Sequence, residues 1–224
     1  MDNSELYLTI ENGVVTKCIA EATKIVIPNG VIEIGEDAFF KCGSLKSITI
    51  PGSVVKIGNG AFCECSKLQS VTIPGSVTEI GNWAFYDCQG LKSAAIPDGV
   101  TKIGEDAFAF CNHLKSITLP NNLVKIGEYA FYKCEILQSL TIPDGVNEIN
   151  PSIFRRCDCL REIVYKGKAY ANVAEFCQEL GLELDYNPNN FGFDLEINID
   201  YDKLEIDDEP DDEFDDDSND NPDD

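Results

Sequence analysis

The sequence has a single histidine, a single methionine and a single tryptophan in 224 residues. It is also poor in positive charge, with 17 Lys+Arg against 40 Asp+Glu and a formal net charge of -23. With His113 alone, no histidine pair can hold a metal. No Ser or Cys is set beside it in a nucleophile motif, so triad chemistry is not expected. His113 falls between Cys111 and Leu114, where a solvated turn is expected. The shortage of positive charge excludes binding to nucleic-acid phosphates or anionic membranes as a leading role. No apolar run approaches the roughly 20 residues of a membrane helix. Met1 to Ile10 lacks a basic start and an apolar stretch, so no export signal is expected. No phosphate-cradling glycine loop is present.

The acidity is uneven. Residues 194–224 carry 17 of the acidic residues and one lysine, which is about two-thirds of the net charge. The rest is mildly acidic. Such a chain suits a basic protein partner rather than a polyanion.

What is present is a repeat. Ile50 to Thr72 is one copy, and its template reads I-P-x-x-V-x-x-I-G-x-x-A-F-x-x-C-x-x-L-x-S-I-T. Pro recurs at Pro28, Pro51, Pro74, Pro97, Pro120 and Pro143. Phe recurs at Phe39, Phe62, Phe85, Phe108, Phe131 and Phe154, and Cys at Cys42, Cys65, Cys88, Cys111, Cys134 and Cys157. The step is 23 residues throughout. A propeller blade needs about 40, so the period predicts a solenoid.

Within a repeat, Leu45, Ile48 and Ile50 point inward from a short strand, and Ser47 and Thr49 point out. Pro51 ends that strand. Val54 and Ile57 line a second extended stretch, and Gly58 makes the corner. Ala61, Phe62 and Cys65 stand at helical spacing, which predicts a single helical turn. The residues before the corner isoleucines are Glu33, Lys56, Glu79, Lys102, Lys125 and Glu148. In-register stacking brings these charges together, with each opposite pair worth roughly 0.2–1 kcal/mol.

The landmarks I-P, I-G, A-F and C-x-x-L resemble those of the BspA-like leucine-rich repeat family, over residues 25–165. The resemblance implies a right-handed superhelix, rich in β structure, with short helical turns and a parallel sheet on the concave face. It also implies binding or adhesion, often at microbial surfaces, rather than catalysis.

The ends depart from the template. Residues 1–24 read as a capping hairpin, with Asn12-Gly13 between two β-prone runs. Residues 25–165 make six repeats, the last degraded: Asn150, Ile153 and Glu162 replace Gly, Ala and Ser. Residues 166–190 read as a helical cap, with Val173, Ala174, Phe176, Cys177 and Leu180 at helical spacing and Gly181 as a stop. Leu182, Leu184 and Tyr186 form one more short strand before Asn187-Pro188. Residues 191–224 are an acidic tail, disordered beyond Ile206. Its start, Phe193 to Tyr201, alternates either as a strand or as an acidic-hydrophobic disordered motif.

No metal site is expected. Asn198, Asp200, Asp202 and Glu209 match positions of a calcium loop, but Lys203 stands where its glycine belongs. Cys63-x-Cys65 and Cys157-x-Cys159 are four repeats apart and cannot converge on zinc. The repeated cysteines read as small buried hydrophobes. So many free thiols favour a cytoplasmic protein.

Two surfaces remain for binding. One is the strand face with its Ser and Thr residues, flanked by Lys46, Lys92, Lys115 and Arg161. The other is aromatic: Phe40, Trp83, Tyr86, Phe110, Tyr129 and Tyr132. On a helical turn, Trp83 and Tyr86 share a face, as do Tyr129 and Tyr132 two repeats on, leaving a shallow slot between. The sequence therefore reads as a monomeric, cofactor-free, non-catalytic protein-interaction module. The alternative is surface adhesion, should an export signal precede the chain. If packing alone explains the repeated cysteines, alkylation of the unfolded, unreduced protein modifies all six of them. Mass spectrometry checks this, and a disulfide among them contradicts it.

Overall fold

The computed structural model describes residues 7–19 and 21–183. The chain enters through a hairpin of β1 (Leu8–Glu11) and β2 (Val14–Cys18). Asn12 (φ 50) and Gly13 (φ 80) turn it in the left-handed region that a tight two-residue loop requires. Each repeat then adds two short strands. They are β3 (Lys24–Val26) and β4 (Glu33–Ile34), β5 (Ser47–Thr49) and β6 (Lys56–Ile57), and β7 (Ser70–Thr72) and β8 (Glu79–Ile80). Next come β9 (Ser93–Ala95) and β10 (Lys102–Ile103), then β11 (Ser116–Thr118) and β12 (Lys125–Ile126). The chain closes with β13 (Ser139–Ile142), β14 (Glu162–Tyr165), β15 (Lys168–Tyr170) and the helix α1 (Val173–Leu180).

The result is a β-solenoid with two parallel ladders. Strands β3, β5, β7, β9 and β11 form one five-stranded sheet. Strands β2, β4, β6, β8, β10 and β12 form the other, with β1 added antiparallel at its edge. Register is the repeat itself: Ile34 pairs with Ile57, Ile57 with Ile80, and Ile103 with Ile126. The charge ladder follows. Lys56 Nζ lies 2.7 Å from Glu33 Oε1, and Lys102 Nζ lies 2.6 Å from Glu79 Oε1. The Glu33 contact raises the Lys56 ammonium above its ordinary range.

Inside, equal residues stack on equal residues. The rings of Phe39, Phe62, Phe85, Phe108 and Phe131 are 4.9 to 6.0 Å apart and within 21° of parallel. Beside them the cysteine thiols are buried, and five donate to the carbonyl of a phenylalanine one rung back. Cys65 Sγ reaches Phe39 O at 3.1 Å, and Cys111 Sγ reaches Phe85 O at 3.2 Å. Cysteine here is a small hydrophobe with one weak donor, and the position uses both properties.

The expected helical turn is absent from the repeats. Each arc carries two left-handed residues four apart: Asp37 and Lys41, Gly60 and Glu64, Trp83 and Asp87, Asp106 and Phe110, Tyr129 and Lys133. Backbone donors alternate. Phe40 N donates to Asp37 O at 2.8 Å within its rung, whereas Phe39 N donates to Ala61 O at 2.9 Å in the next. A helix would satisfy every N–H on its own segment, and the rungs could not be joined there. Only the last repeat, which has no further copy above it, forms a 3₁₀ turn, at Pro151–Phe154 with Asn150 as its cap.

At the far end, β14 and β15 form a hairpin through Lys166 (φ 48) and Gly167 (φ 73). The cap expected to be helical from residue 166 therefore begins with a turn and a strand. Helix α1 follows, capped by the Asn172 side chain accepting from Glu175 N and by Gly181 at φ 65. Phe176 packs edge-on against Phe154, Tyr165 and Tyr170 and closes the core. The expectations for Leu184 and Tyr186 and for residues 191–224 lie outside the described residues.

The corner glycines have a different role from the one expected. Gly58, Gly81, Gly104 and Gly127 are not left-handed. What they allow is contact: a Cβ on Gly104 would lie 2.4 Å from Asn82 N and 2.5 Å from Gly81 C. Gly104→Ala therefore forces neighbouring backbones apart and should cost about 3 kcal/mol or more. Gly52→Ala, where nothing lies within 4 Å of the added Cβ, should be neutral or slightly stabilising. Paired thermal melts measure the contrast.

Candidate functional site

The five-stranded sheet presents short side chains outward. Ser70, Thr72, Ser93, Ala95, Ser116 and Thr118 are exposed, because alternation along each strand sends Val71, Ala94 and Ile117 inward. Directly before the strands runs a column of Lys46, Gln69, Lys92, Lys115, Gln138 and Arg161, all exposed. Backbone bonds tie its first four members together: Gln69 N to Lys46 O (3.1 Å), Lys92 N to Gln69 O (3.3 Å) and Lys115 N to Lys92 O (2.9 Å). Arg161 N bonds Gln138 O at 2.9 Å at the far end. The column holds no acid, in a chain of net charge -23. Lys92 and Lys115 are on adjacent rungs, about 4.8 Å apart at the backbone. The structure thus joins Lys46, Lys92 and Lys115 into one line beside the hydroxyl-rich face of the five-stranded sheet, and places Arg161 at the same repeat position before β14, in the three-stranded sheet of β13, β14 and β15.

The aromatic residues do not form a slot. Tyr86 and Tyr132 are buried, and Phe40, Trp83, Phe110 and Tyr129 are half-buried. Trp83 sits at a left-handed φ of 53°, so it shares no helical face with Tyr86. The slot expected between the two pairs, where the intervening rung carries the small Ala109, is filled by its neighbour Phe110, whose ring lies 5.1 Å from Tyr86 and 5.2 Å from Tyr132. Tyr129 meets Tyr132 edge-on at 6.0 Å. Lys133 Nζ stands 4.7 Å over Phe110, and Lys41 Nζ 4.6 Å over Phe40. Most of this set is a lateral packing cluster closed by cations. The signal in the sequence was the pairing of a small Ala109 with a large Phe110 at the next position.

The arcs also hold carboxylates that composition did not single out. Asp37, Glu64 and Asp87 are raised above the ordinary carboxylate range, chiefly by burial. Asp106 is pushed up to about 7 by burial, reinforced by Glu105 and partly offset by a hydrogen bond with Trp83. Nearby Cys63 is pushed up to about 12 by burial and by Glu64. All four acids occupy left-handed positions, which Asp visits more readily than most residues. Among the described residues, no group of three His, Cys, Asp or Glu side chains could hold a metal. His113 is exposed, with Nδ1 2.8 Å from Gln89 O. No described helix is long and apolar enough to cross a membrane.

Known proteins share this architecture. The BspA type leucine rich repeat region matches the chain in six copies, over residues 8–112 and 80–178. The crystal structure of the T. pallidum leucine rich repeat protein is 32% identical, with a TM-score of 0.66, covering 68% of this chain and 75% of that one. A leucine rich cell surface protein from Faecalibacterium prausnitzii is 34% identical (TM-score 0.50), and the match covers 69% of this chain and 35% of that one. A leucine-rich repeat protein from Bacteroides ovatus is 30% identical (TM-score 0.52), with coverage of 69% and 50%. No curated protein matches the chain. The cytoplasmic placement expected from the thiols finds no support in these likenesses.

The raised carboxylates set a pH dependence. A carboxyl whose folded pKa lies above its unfolded one, near 3.9, stabilises the fold fully at low pH. That contribution is lost as pH rises, for Asp106 between about 4 and about 7. Asp106→Asn keeps a side chain that tolerates the left-handed backbone and removes the ionisation. It should stabilise the protein by roughly 2 kcal/mol at pH 8 and by almost nothing at pH 4. Thermal denaturation across that range checks the sign.

Proposed function

This chain belongs to the BspA-type leucine-rich repeat family, and from that premise we propose that it is a non-catalytic protein-interaction module. It engages its partner on the outer face of the five-stranded sheet. The observation that carries this reading is the column Lys46, Lys92 and Lys115, set beside exposed Ser and Thr residues, with Arg161 at the same repeat position in the next sheet. Lys92 and Lys115, on adjacent rungs, repel each other rather than stabilise the stack, which supports a role toward another molecule. The described face fits an acidic stretch of a partner. The basic partner expected from overall charge would instead meet residues 194–224, which lie outside the described residues. The short side chains of the ladders let a partner approach the sheet closely, and the cations fix its register.

A second reading, display at a microbial surface, is favoured by one observation. The F. prausnitzii structure that this chain resembles at 34% identity is described as a cell surface protein.

Charge reversal tests the first reading. The partner is identified by cross-linking in the native host and then purified. Lys92→Glu with Lys115→Glu should weaken its binding by tenfold or more, with a shallower salt dependence, and leave the melting temperature unchanged. Trp83→Ala with Tyr129→Ala should leave affinity nearly intact. The reverse order of effects would move the site to the aromatic cluster.

A further inference from the structure

The cysteine ladder begins differently from the way it continues. In the interior each thiol reaches the carbonyl of a phenylalanine, as Cys65 Sγ does at Phe39 O (3.1 Å) and Cys88 Sγ at Phe62 O (3.1 Å). That phenylalanine stands three residues before the cysteine of its own rung. Cys42 is the first of the ladder, and its Sγ turns instead to Cys18 O, at 3.9 Å. Cys18 ends β2 in the entry hairpin, and its own Sγ reaches Ile19 O at 3.4 Å. Both sulfurs are thus gathered on one short piece of backbone, at residues 18 and 19. The two side chains also hydrogen-bond to each other, which raises the pKa of Cys18 and lowers that of Cys42. In the interior, Cys65, Cys88 and Cys134 are raised chiefly by burial. Cys18 and Cys42 are both free thiols.

We propose that Cys18 and Cys42 are a redox pair, closed by a small-molecule disulfide such as glutathione disulfide into a bond between the entry hairpin and the first rung. Cys18 is the accessible partner: it is 7% exposed beside Ile19 at 54%, whereas Cys42 is fully buried. The Cys18 thiolate attacks one sulfur of the small disulfide, forming a mixed disulfide and expelling one thiolate. The Cys42 thiolate then attacks the Cys18 sulfur, the mixed S–S bond breaks and the second thiolate leaves. Each expelled thiolate takes up a proton lost by a protein thiol. Two protein thiols are oxidised, and one small disulfide is reduced to two thiols. The first step is the slower, because Cys18 holds its proton tightly. The product closes a loop over β3, β4 and the first arc. It ties down the hairpin that covers the open end of the stack, where a terminal repeat would otherwise fray. The interior thiols do not react in this way, since each is buried and directed at a phenylalanine carbonyl rather than at another cysteine. In protein kept from such an oxidant, the six ladder thiols stay free.

Thiol mapping on the folded, full-length protein tests the assignment. The protein is reduced, freed of reductant and incubated with glutathione disulfide in mildly alkaline buffer, then quenched in acid and alkylated in denaturant. Peptide mass spectrometry should find Cys18 joined to Cys42, two hydrogens lighter than the reduced pair. This bond should form at least about tenfold faster than Cys65 or Cys111 loses its alkylation. The melting temperature should rise by roughly 5–10 °C and fall back on reduction. In Cys42→Ser the reaction should stop at a glutathione adduct on Cys18, and in Cys18→Ser the Cys42 thiol should stay fully alkylated. Should either variant fail to fold, the unaltered protein decides. Full alkylation of Cys42 in the unaltered protein overturns the proposal, whether or not Cys18 takes up glutathione. So does a Cys18–Cys42 bond that forms only in denaturant, or a first bond between two ladder cysteines.

Discussion

The backbone contact between successive corner glycines is the constraint from which the other regularities follow. At Gly81, Gly104 and Gly127 the rungs approach so closely that a Cβ would overlap backbone atoms at 2.4 to 2.7 Å. That closeness permits Gly81 N to reach Ile57 O, and Gly104 N to reach Ile80 O, at 2.9 Å. Once these bonds fix the register, each residue is stacked on its equivalent one repeat away. Phenylalanine falls on phenylalanine and cysteine on cysteine, and glutamate meets lysine. Where Asn150 stands in place of the glycine, the two-residue ladder has ended, with β12 as its last strand. At Gly145, outside the corner series, an added Cβ would lie 2.8 Å from Leu123 O, so the last repeat is still close to the rung before it.

A stacked ladder also decides which chemistry each position can use. In the arcs, every second N–H must leave its own rung, so the chain takes left-handed residues instead of a helix. The price is backbone strain at Trp83, Asp106 and Phe110, each worth of order 1 kcal/mol. It is offset by a continuous interior in which Ala61, Ala84, Ala107 and Ala130 are all fully buried. The same geometry draws Asp37, Asp87 and Asp106 out of water, since their left-handed backbones sit close to the next rung.

Much of this was legible because period and register are the same fact in a solenoid. The step from Ile57 to Ile80 gives the strand pairing directly, and with it the facing of Glu33 and Lys56. The arcs were not legible in this way, because Ala61, Phe62 and Cys65 have the spacing that a helix and a chain of left-handed turns share. Only the destination of each N–H separates the two, and hydrophobic pattern carries no record of it. The aromatic slot failed for a related reason. Comparing equivalent positions showed a small Ala109 between Tyr86 and Tyr132, but Phe110 reaches that space from the adjacent column. The strand β15 was hidden because Lys166-Gly167 is a less familiar turn signal than Asn12-Gly13.

The division between buried and exposed columns bears on function. Buried columns repeat one residue type because any change breaks a stack. Exposed columns face no such demand, so a pattern there needs another cause. In the two-residue ladder that cause is internal: Glu33 with Lys56 and Glu79 with Lys102 neutralise each other across rungs. Before the strands of the five-stranded sheet, and on into β13 and β14, the pattern is reversed. Lys46, Lys92, Lys115 and Arg161 share a column with two glutamines and no acid, in a protein with more than twice as many acids as bases. Stacking alone would favour alternating signs there as well. A column that gives up that internal compensation keeps its charge available to another molecule. The strand face is therefore a stronger candidate for recognition than the aromatic cluster, whose rings are largely occupied with one another.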